Sequence, residues 1–202
     1  MGSMRGLLDL RTGRVLDVQR VTFFVGPDMT GKTQIAQNVS RLTGIPYFKA
    51  SSERSTYLSR KDRFVNELRY ADPRVADVLR QTGYSIIFDR GYPCELVYSS
   101  VLQRETDYVA IAAADNAYAE LGAQIVLCVR SSYDGIVDDI DPNLDSTRLT
   151  QLSRAYMYFV EGYTKCESMV LNVDDEDLDR ETDEVLRFMG YTELERSMML
   201  SA

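Results

Sequence analysis

Short apolar runs recur along the chain at intervals that suit buried β-strands. Each run is rich in β-branched and aromatic residues, and the segments between the runs carry apolar residues every three or four positions, the spacing of amphipathic helices. The predicted strands are 21–25, 45–48, 85–88, 125–129 and 169–173. Strands that alternate with helices predict an α/β fold, in which a five-stranded parallel sheet is flanked by helices on both faces.

The first predicted helix follows the first strand. It places Ile35, Ala36 and Val39 on one face and ends at Gly44. Pro73 favours a helix start and separates two of the later helices. The later predicted helices are 57–69, 73–82, 93–103, 105–121, 147–163 and 177–189, and we expect 177–189 to be the last helix of the chain.

The length and composition predict a single domain. A chain of 202 residues with 45% hydrophobic residues can bury one sizeable core. Residues 1–3 have the composition of an expression remnant, which leaves 4–202 as the domain. Within it, 4–20 is an N-terminal extension that predicts a short hairpin or an edge strand. Residues at about 136–150 are the candidate for a lid, because they contain the acidic run 138–143.

Several function classes are excluded or disfavoured by composition. No run approaches the ~20 apolar residues of a membrane span, and no signal peptide is visible. Cys94, Cys128 and Cys166 lack metal-ligand spacing, which predicts reduced thiols in a cytoplasmic protein. The absence of histidine excludes Ser-His, Cys-His and His-metal chemistry. A net charge of −8 argues mildly against polymeric nucleic acid as a partner but not against a mononucleotide.

A glycine-rich segment between the first strand and the first helix fits the pattern G-x-x-x-x-G-K-[ST]. Backbone N–H groups and the positive helix end of such a loop hold nucleotide phosphates, while Lys32 neutralises charge and Thr33 can bind Mg²⁺. We expect Lys32 to face solvent. The predicted ATP-binding residues are Gly26, Pro27, Met29, Thr30, Gly31, Lys32, Thr33 and Gln34.

Asp89 and Arg90 stand at the carboxyl end of the third predicted strand, where ligands bind on parallel sheets. A carboxylate there can hold Mg²⁺, and the adjacent guanidinium can clamp an acceptor. The alternative is a surface salt-bridge pair. The fourth strand is followed by Arg130-Ser131-Ser132-Tyr133 and not by a base-reading N-K-x-D segment, which disfavours a GTPase. The pattern therefore favours a small-molecule kinase.

Four motifs together resemble the thymidylate kinase family over roughly residues 20–190. They are an aspartate within the glycine loop, an E-R-S-T string after the second strand, a D-R pair and a tyrosine nine residues after its aspartate: Asp28, Glu53-Arg54-Ser55-Thr56, Asp89-Arg90 and Tyr98. The resemblance implies a P-loop NTPase fold like that of nucleoside monophosphate kinases, with ATP as donor, Mg²⁺ as cofactor and a homodimeric state.

The resemblance also implies roles for individual residues. Arg54 would contact the acceptor phosphate, and Asp28 would meet the deoxyribose 3′-hydroxyl. Tyr98 would crowd the 2′-position, and Phe64 sits close to where the family stacks a phenylalanine on thymine.

The sequence departs from the family where the base is read. Cys94 and Glu95 replace small polar residues, and Leu68 stands where a base-reading arginine is expected, with Arg69 one position later. These differences extend the expected acceptors to modified pyrimidines or another deoxynucleotide. Glu95 either accepts a hydrogen bond from an amino or hydroxymethyl group or is a solvated helix residue.

The cations that stabilise the transferring group must be found outside the loop, because Met29 stands where some family members carry an arginine. Arg148 and Arg154, on the helix after the acidic run, are the candidates, with solvated helix arginines as the alternative. We expect Tyr156 and Tyr158 on the same helix to be packing residues.

The leading prediction is a deoxynucleoside monophosphate kinase acting on dTMP or a related pyrimidine deoxynucleotide. A deoxynucleoside kinase is the first alternative, but such enzymes place a carboxylate where this chain has Lys49, which suits an anionic acceptor better. A kinase acting on a base or end in DNA and a nucleotide-sensing protein are further alternatives. The alanine-rich stretch 110–119 would form either the dimer contact or a tightly packed core helix.

Overall fold

The computed structural model describes residues 18–49, 73–136 and 144–201, and the backbone of two short strands, β1 (Leu8–Asp9) and β2 (Arg14–Val15). These two strands pair antiparallel, as the predicted hairpin requires. The predicted helix 57–69 and the central part of the predicted lid, 137–143, lie outside the described residues.

A five-stranded parallel sheet forms the centre of the described structure, and this confirms the predicted fold class. Its strands lie in the order β4-β5-β3-β6-β7. They are β3 (Val21–Val25), β4 (Tyr47–Lys49), β5 (Ile86–Asp89), β6 (Gln124–Val129) and β7 (Glu167–Asn172). Because β3 lies between β5 and β6, the carboxyl ends of these three strands meet at one edge.

Seven helices occur in the described part of the chain, and they cover both faces of the sheet. They are α1 (Lys32–Thr43), α2 (73–82), α3 (Tyr92–Val101), α4 (Tyr108–Glu120), α5 (Ser146–Tyr158), α6 (Leu178–Phe188) and α7 (Glu193–Leu200).

The alternation of side chains along β3 separates two cores. Phe23 packs with α3, α4 and α5 on one face, and Phe24 packs with α1 and α6 on the other. Both rings are buried, since successive side chains of a strand point to opposite faces. The continuous apolar run 21–25 is thus a strand buried on both sides.

One helix prediction was wrong, and a second is refined by the structure. The chain does not end its helical structure at 189, because α7 follows, and a capping box between Thr192 and Glu195 starts it. The helix predicted over 147–163 is not uniform, because α5 ends at Tyr158 and continues as a π-helical turn, Phe159–Tyr163.

A buried carboxylate anchors the end of the π-helical turn. Asp115 on α4 accepts hydrogen bonds from the Thr164 hydroxyl at 2.6 Å and the Lys165 backbone N–H at 2.9 Å. It also accepts one from the Tyr92 hydroxyl at 2.8 Å, at the start of α3. The three bonds connect α3, α4 and the end of α5.

The three cysteines are free and buried, as expected for reduced thiols. Within the residues that the structure describes, no helix is both long enough and apolar enough to span a bilayer.

We predict that Gly26→Ala lowers the free energy of unfolding by about 3 kcal/mol, because the new Cβ would overlap the Cys128 carbonyl oxygen on β6 and the φ of +140° disfavours a side chain. Gly44→Ala is the matched control, with a φ of +71° but open space around the added atom, and should cost about 1 kcal/mol. Urea denaturation of both variants measures the difference. Equal losses would show that backbone angle, and not the close approach, determines the effect.

Candidate functional site

The glycine-rich loop connects β3 to α1, as the motif predicts. Gly31 has a φ of 68° immediately before α1, and Met29 has a φ of 65°, an uncommon value for a residue with a side chain. Met29 and Gln34 are exposed, whereas Gly26, Pro27 and Thr30 are buried at the base of the loop.

Lys32 folds back over its own loop. Its Nζ donates to the Pro27 carbonyl oxygen at 3.0 Å and lies 3.9 Å from Asp28 Oδ1. The residue is only 5% exposed, so the expectation that it faces solvent was wrong. Burial, with a further contribution from the Arg90 charge, lowers the pKa of Lys32 to about 8, although Asp28 and Asp89 oppose the shift.

Thr33 and Asp89 meet between α1 and β5. The Thr33 hydroxyl donates to Asp89 Oδ2 at 2.6 Å, the Tyr47 hydroxyl donates to the same oxygen at 2.8 Å, and Lys49 Nζ lies 3.9 Å away. Burial and the hydrogen bond to Asp89 raise the pKa of Tyr47, which keeps it a donor.

The other oxygen of Asp89 fits a bound divalent cation. Oδ1 is buried and has no hydrogen-bond partner within the described ranges. A carboxylate and a hydroxyl, completed by substrate phosphates and water, are the ligands that Mg²⁺ commonly takes in kinases. Within the described ranges, no cluster of three or more Asp, Glu, Cys or His side chains could hold a metal ion with protein ligands alone.

Asp28, Arg90 and Tyr98 form a second cluster beside the loop. The Arg90 guanidinium donates to Asp28 Oδ1 and lies within 3.4 Å of the Tyr98 hydroxyl, which itself donates to Asp28 Oδ2 at 2.8 Å. Arg90 has a φ of 75°, and its backbone N–H donates to the Phe24 carbonyl oxygen at 2.9 Å. Asp89 and Arg90 are therefore not a surface salt-bridge pair, because each has partners elsewhere in the site.

Glu95 is 4% exposed, which rules out the solvated alternative. Its oxygens accept from the Ser99 hydroxyl at 2.6 Å and from Arg104 Nη2 at 3.4 Å. Burial raises the pKa of Glu95 and also that of the neighbouring Cys94 thiol.

The predicted transfer cations lie on α5, and their role at the transferring group stays a prediction. Arg148 and Arg154 are exposed, and their side chains pair with no carboxylate in the described ranges. Of the two tyrosines on α5, Tyr156 is fully buried, but Tyr158 is 76% exposed and is not a packing residue.

Arg130 is a cation that the sequence interpretation missed. It follows β6, and its Nε donates to the Met29 carbonyl oxygen at 2.9 Å while its Nη2 pairs with Glu176 at 2.7 Å. The guanidinium therefore contacts the tip of the glycine loop. Its position directly after a buried strand, at the same sheet edge as the loop, was the available signal.

The remaining predicted substrate residues, Arg54, Phe64 and Arg69, lie outside the described residues.

Solved structures share this architecture at low sequence identity. The YorR protein from Bacillus subtilis, in complex with phosphorylated GDP, matches at 15% identity and a TM-score of 0.59, over 88% of this chain and 98% of that one. The chain has the P-loop kinase fold. A sugar kinase from Janibacter sp. HTCC2649 matches at 15% identity and a TM-score of 0.55, again over 88% and 98%.

Deoxyadenosine kinase from M. mycoides with bound dATP matches at 16% identity and a TM-score of 0.53, over 86% of this chain and 100% of that one. No protein-family model and no curated protein matches the sequence. At these identities the likeness establishes the P-loop kinase fold, and the substrates must be argued from the site.

The depressed pKa of Lys32 predicts a pH-dependent stability. Between the folded value of about 8 and the ordinary value of 10.5, the unfolded chain holds more protons, so raising the pH stabilises the fold. We therefore expect Lys32→Met to make the free protein more stable at pH 7.5, by up to about 3 kcal/mol, with a gain that shrinks as the pH rises from 8 to 9.5.

Urea denaturation across this pH range measures that difference. Lys32→Arg is the control, because its charge persists throughout this pH range. The difference in stability between Lys32→Arg and Lys32→Met should therefore not shrink as the pH rises. A Lys32→Met variant that is less stable than the wild type at pH 7.5 would contradict the prediction.

Proposed function

We propose that the protein is a deoxynucleoside monophosphate kinase, which transfers the γ-phosphoryl group of ATP to dTMP or a related pyrimidine deoxynucleotide, including one with a modified base. The observation that carries the proposal is the 2.6 Å contact between Thr33 and Asp89, with Arg90 next along the chain. Through this contact, the loop that would hold the donor phosphates, the carboxylate that would bind a metal and the arginine that would bind the acceptor lie at one edge of the sheet.

The donor side is built from the glycine loop and α1. The N-terminus of α1 directs backbone N–H groups and the positive end of the helix dipole towards the loop, where phosphates would bind. Lys32 lies over this loop, and its depressed pKa would rise as an anion approached. Thr33 and Asp89 would hold Mg²⁺, which supplies charge neutralisation at the β- and γ-phosphates when bound.

The acceptor side carries positive charge. β4 ends at Lys49, whose ammonium lies 3.9 Å from Asp89, and Arg90 pairs with Asp28 of the loop. An anionic acceptor is matched by this charge, and its phosphate oxygen needs no strong general base. A neutral nucleoside hydroxyl would need a carboxylate base, and β4 offers a lysine where nucleoside kinases place one.

The sugar and base contacts remain proposals taken from the family resemblance. Asp28 accepts hydrogen bonds from Arg90 and from Tyr98, which fix its carboxylate beside the glycine loop, and the resemblance assigns this carboxylate to the 3′-hydroxyl. Glu95 is the candidate reader of the base, and the charge of Arg104, 3.4 Å away, favours its ionised form.

A deoxynucleoside kinase is the second candidate. The likeness to deoxyadenosine kinase over 86% of this chain favours it. The positive charge of Lys49 at the end of β4 weighs against it.

A homodimer and a cytoplasmic location also remain proposals. One face of α4 packs in the core through Ala110, Ile111 and Ala114, which supports the core-helix interpretation for that face.

An acceptor screen tests the proposed function. ADP release is measured with MgATP and each of dTMP, thymidine and deoxynucleotides with modified pyrimidines. We expect turnover with a monophosphate and none with the free nucleoside. Phosphorylation of thymidine alone would establish the second candidate in its place.

Arg90→Ala should raise the acceptor KM and lower kcat, with a roughly 100-fold loss in kcat/KM, because a charge-assisted contact to the acceptor is lost. Steady-state kinetics at saturating MgATP measures the effect. Arg80→Ala is the matched control, since Arg80 pairs with Asp77 and Glu120 on the surface. Equal kinetics of the Arg90 variant and the wild type would remove Arg90 from the acceptor site.

A further inference from the structure

Arg130 binds a backbone carbonyl group at the tip of the glycine loop. Its Nε donates to the Met29 carbonyl oxygen at 2.9 Å, and its Nη2 pairs with Glu176 at 2.7 Å. The Arg130 side chain is 16% exposed, whereas that of Glu176 is 71% exposed. The guanidinium is therefore largely enclosed between two loops, and one of its partners is the backbone of the loop that would bind phosphates.

The main chain that carries Arg130 is held on two sides. The Arg130 backbone N–H donates to the Tyr133 hydroxyl at 3.3 Å, and Tyr133 is buried. The next N–H, that of Ser131, donates to Asp174 Oδ1 at 2.9 Å, just beyond the end of β7. Because both contacts restrain the main chain at 130–131, the guanidinium is placed at the loop tip before any ligand binds.

Met29 has a backbone conformation that needs such support. Its φ of 65° lies in the left-handed region, which costs a residue with a side chain more than it costs glycine. The Met29 carbonyl group and the Thr30 N–H belong to one planar trans peptide unit, so they point in opposite directions. While Arg130 holds the oxygen, this peptide unit cannot rotate without breaking the hydrogen bond.

The direction of this carbonyl group affects how the loop would receive an anion. A loop of this kind binds phosphates when its N–H groups face the ligand and its carbonyl oxygens face away. Rotation of the Met29–Thr30 peptide unit would turn a partially negative oxygen away from Arg130 and towards the loop itself. The phosphates would then meet a repulsive group at the loop tip.

We infer that Arg130 is a positioning residue, which holds the Met29 carbonyl oxygen away from the donor phosphates and so keeps the glycine loop in its anion-binding conformation. The inference rests on the proposed function, because the anion is the phosphate chain of the nucleotide donor. Arg130 acts here through a hydrogen bond to backbone and needs no contact with the ligand. The alternative is that Arg130 attracts the phosphates through its charge alone.

Two neutral substitutions distinguish these roles. Arg130→Gln and Arg130→Met remove the same charge, but only Arg130→Gln keeps a donor. Its Nε2 stands as many bonds from the backbone as the arginine Nε, whereas methionine has a methyl group at that place. We expect Arg130→Met to bind inorganic tripolyphosphate about tenfold more weakly than the wild type, and Arg130→Gln to stay within about threefold of it.

Calorimetry with inorganic tripolyphosphate and Mg²⁺ measures these Kd values. The probe has no base or sugar, so a contact between Arg130 and the nucleoside cannot contribute to them. Equal losses in the two variants would show that Arg130 acts through its charge, and this would overturn the inference. Binding by Arg130→Met that equals that of the wild type would overturn it as well.

Two further variants are the controls. Glu176→Gln keeps an oxygen that can accept from Arg130 and should bind tripolyphosphate as the wild type does. Arg41→Met makes the same change in net charge at the last turn of α1, where the Arg41 guanidinium donates to Asn38, and should also leave the Kd unchanged. A loss in Arg41→Met as large as that in Arg130→Met would assign the effect to net charge and overturn the inference.

Acceptor turnover by the wild type separates this inference from the proposed function. If no acceptor is phosphorylated but the two Arg130 variants differ in Kd as expected, the kinase proposal fails and the role of Arg130 stands. If dTMP is phosphorylated but the two variants bind tripolyphosphate equally, the kinase proposal stands and the role of Arg130 fails. A wild type that does not bind the probe overturns the inference whatever its turnover.

Discussion

The hydrogen bond between Thr33 and Asp89 joins two parts of the chain that are 56 residues apart, and the whole candidate site depends on it. Its geometry is a consequence of sheet register, because Phe24 stands opposite Asp89 in the β3–β5 pairing. The glycine loop leaves β3 one residue beyond Phe24, so the sheet brings Asp89 to the first turn of α1. Arg90 then turns away with a positive φ, which directs its side chain to Asp28 and not along the strand. Backbone strain of this kind persists only where the surrounding structure enforces it, and here it separates the carboxylate proposed to bind a metal from the guanidinium proposed to bind the acceptor.

The site concentrates charge in a poorly hydrated place. Lys32, Asp28 and Asp89 are each at most 8% exposed, and the Arg90 side chain is 15% exposed. Pairing reduces the desolvation cost of these groups. The carboxylates near Lys32 do not fully offset the cost of burying its charge, and its pKa is therefore depressed. The free protein is therefore held in a state that an anionic ligand would relieve. Electrostatic stabilisation that is arranged in advance is the main means by which enzymes of this fold would act on phosphates.

The features that could be predicted from the sequence are those with local signals. The five strands, the glycine loop and the predicted helices that fall in the described ranges follow from the spacing of apolar residues and from the positions of glycine and proline. Their bounds agree with the structure to within a few residues. Short α7 was missed because no residue of it is buried, which leaves only its capping box as a signal. The π-helical turn has no simple sequence signature.

Side-chain environments were harder to predict than elements. The burial of Lys32 and Glu95 depends on helices that arrive from distant parts of the chain, and a hydrophobic pattern does not report on them. Arg130 depends on the distance between two loops, which exists only after β6 has paired with β3. Arg148 and Arg154 were selected by their position after an acidic run. Both are exposed on α5, and their role in phosphoryl transfer stays a prediction.

The π-helical turn at Phe159–Tyr163 has a consequence for how sequences of this kind can diverge. A π-helical turn holds one residue more than the α-helical turn it replaces, and one residue corresponds to a rotation of about 100° around a helix axis. Loss of a single residue within 159–163 would restore regular helix and turn the upstream part of α5 relative to its anchor at Thr164. Every side chain on that helix would then face a different neighbour. Indels in this short stretch should therefore be far less tolerated than indels in the surface loops that connect the other elements.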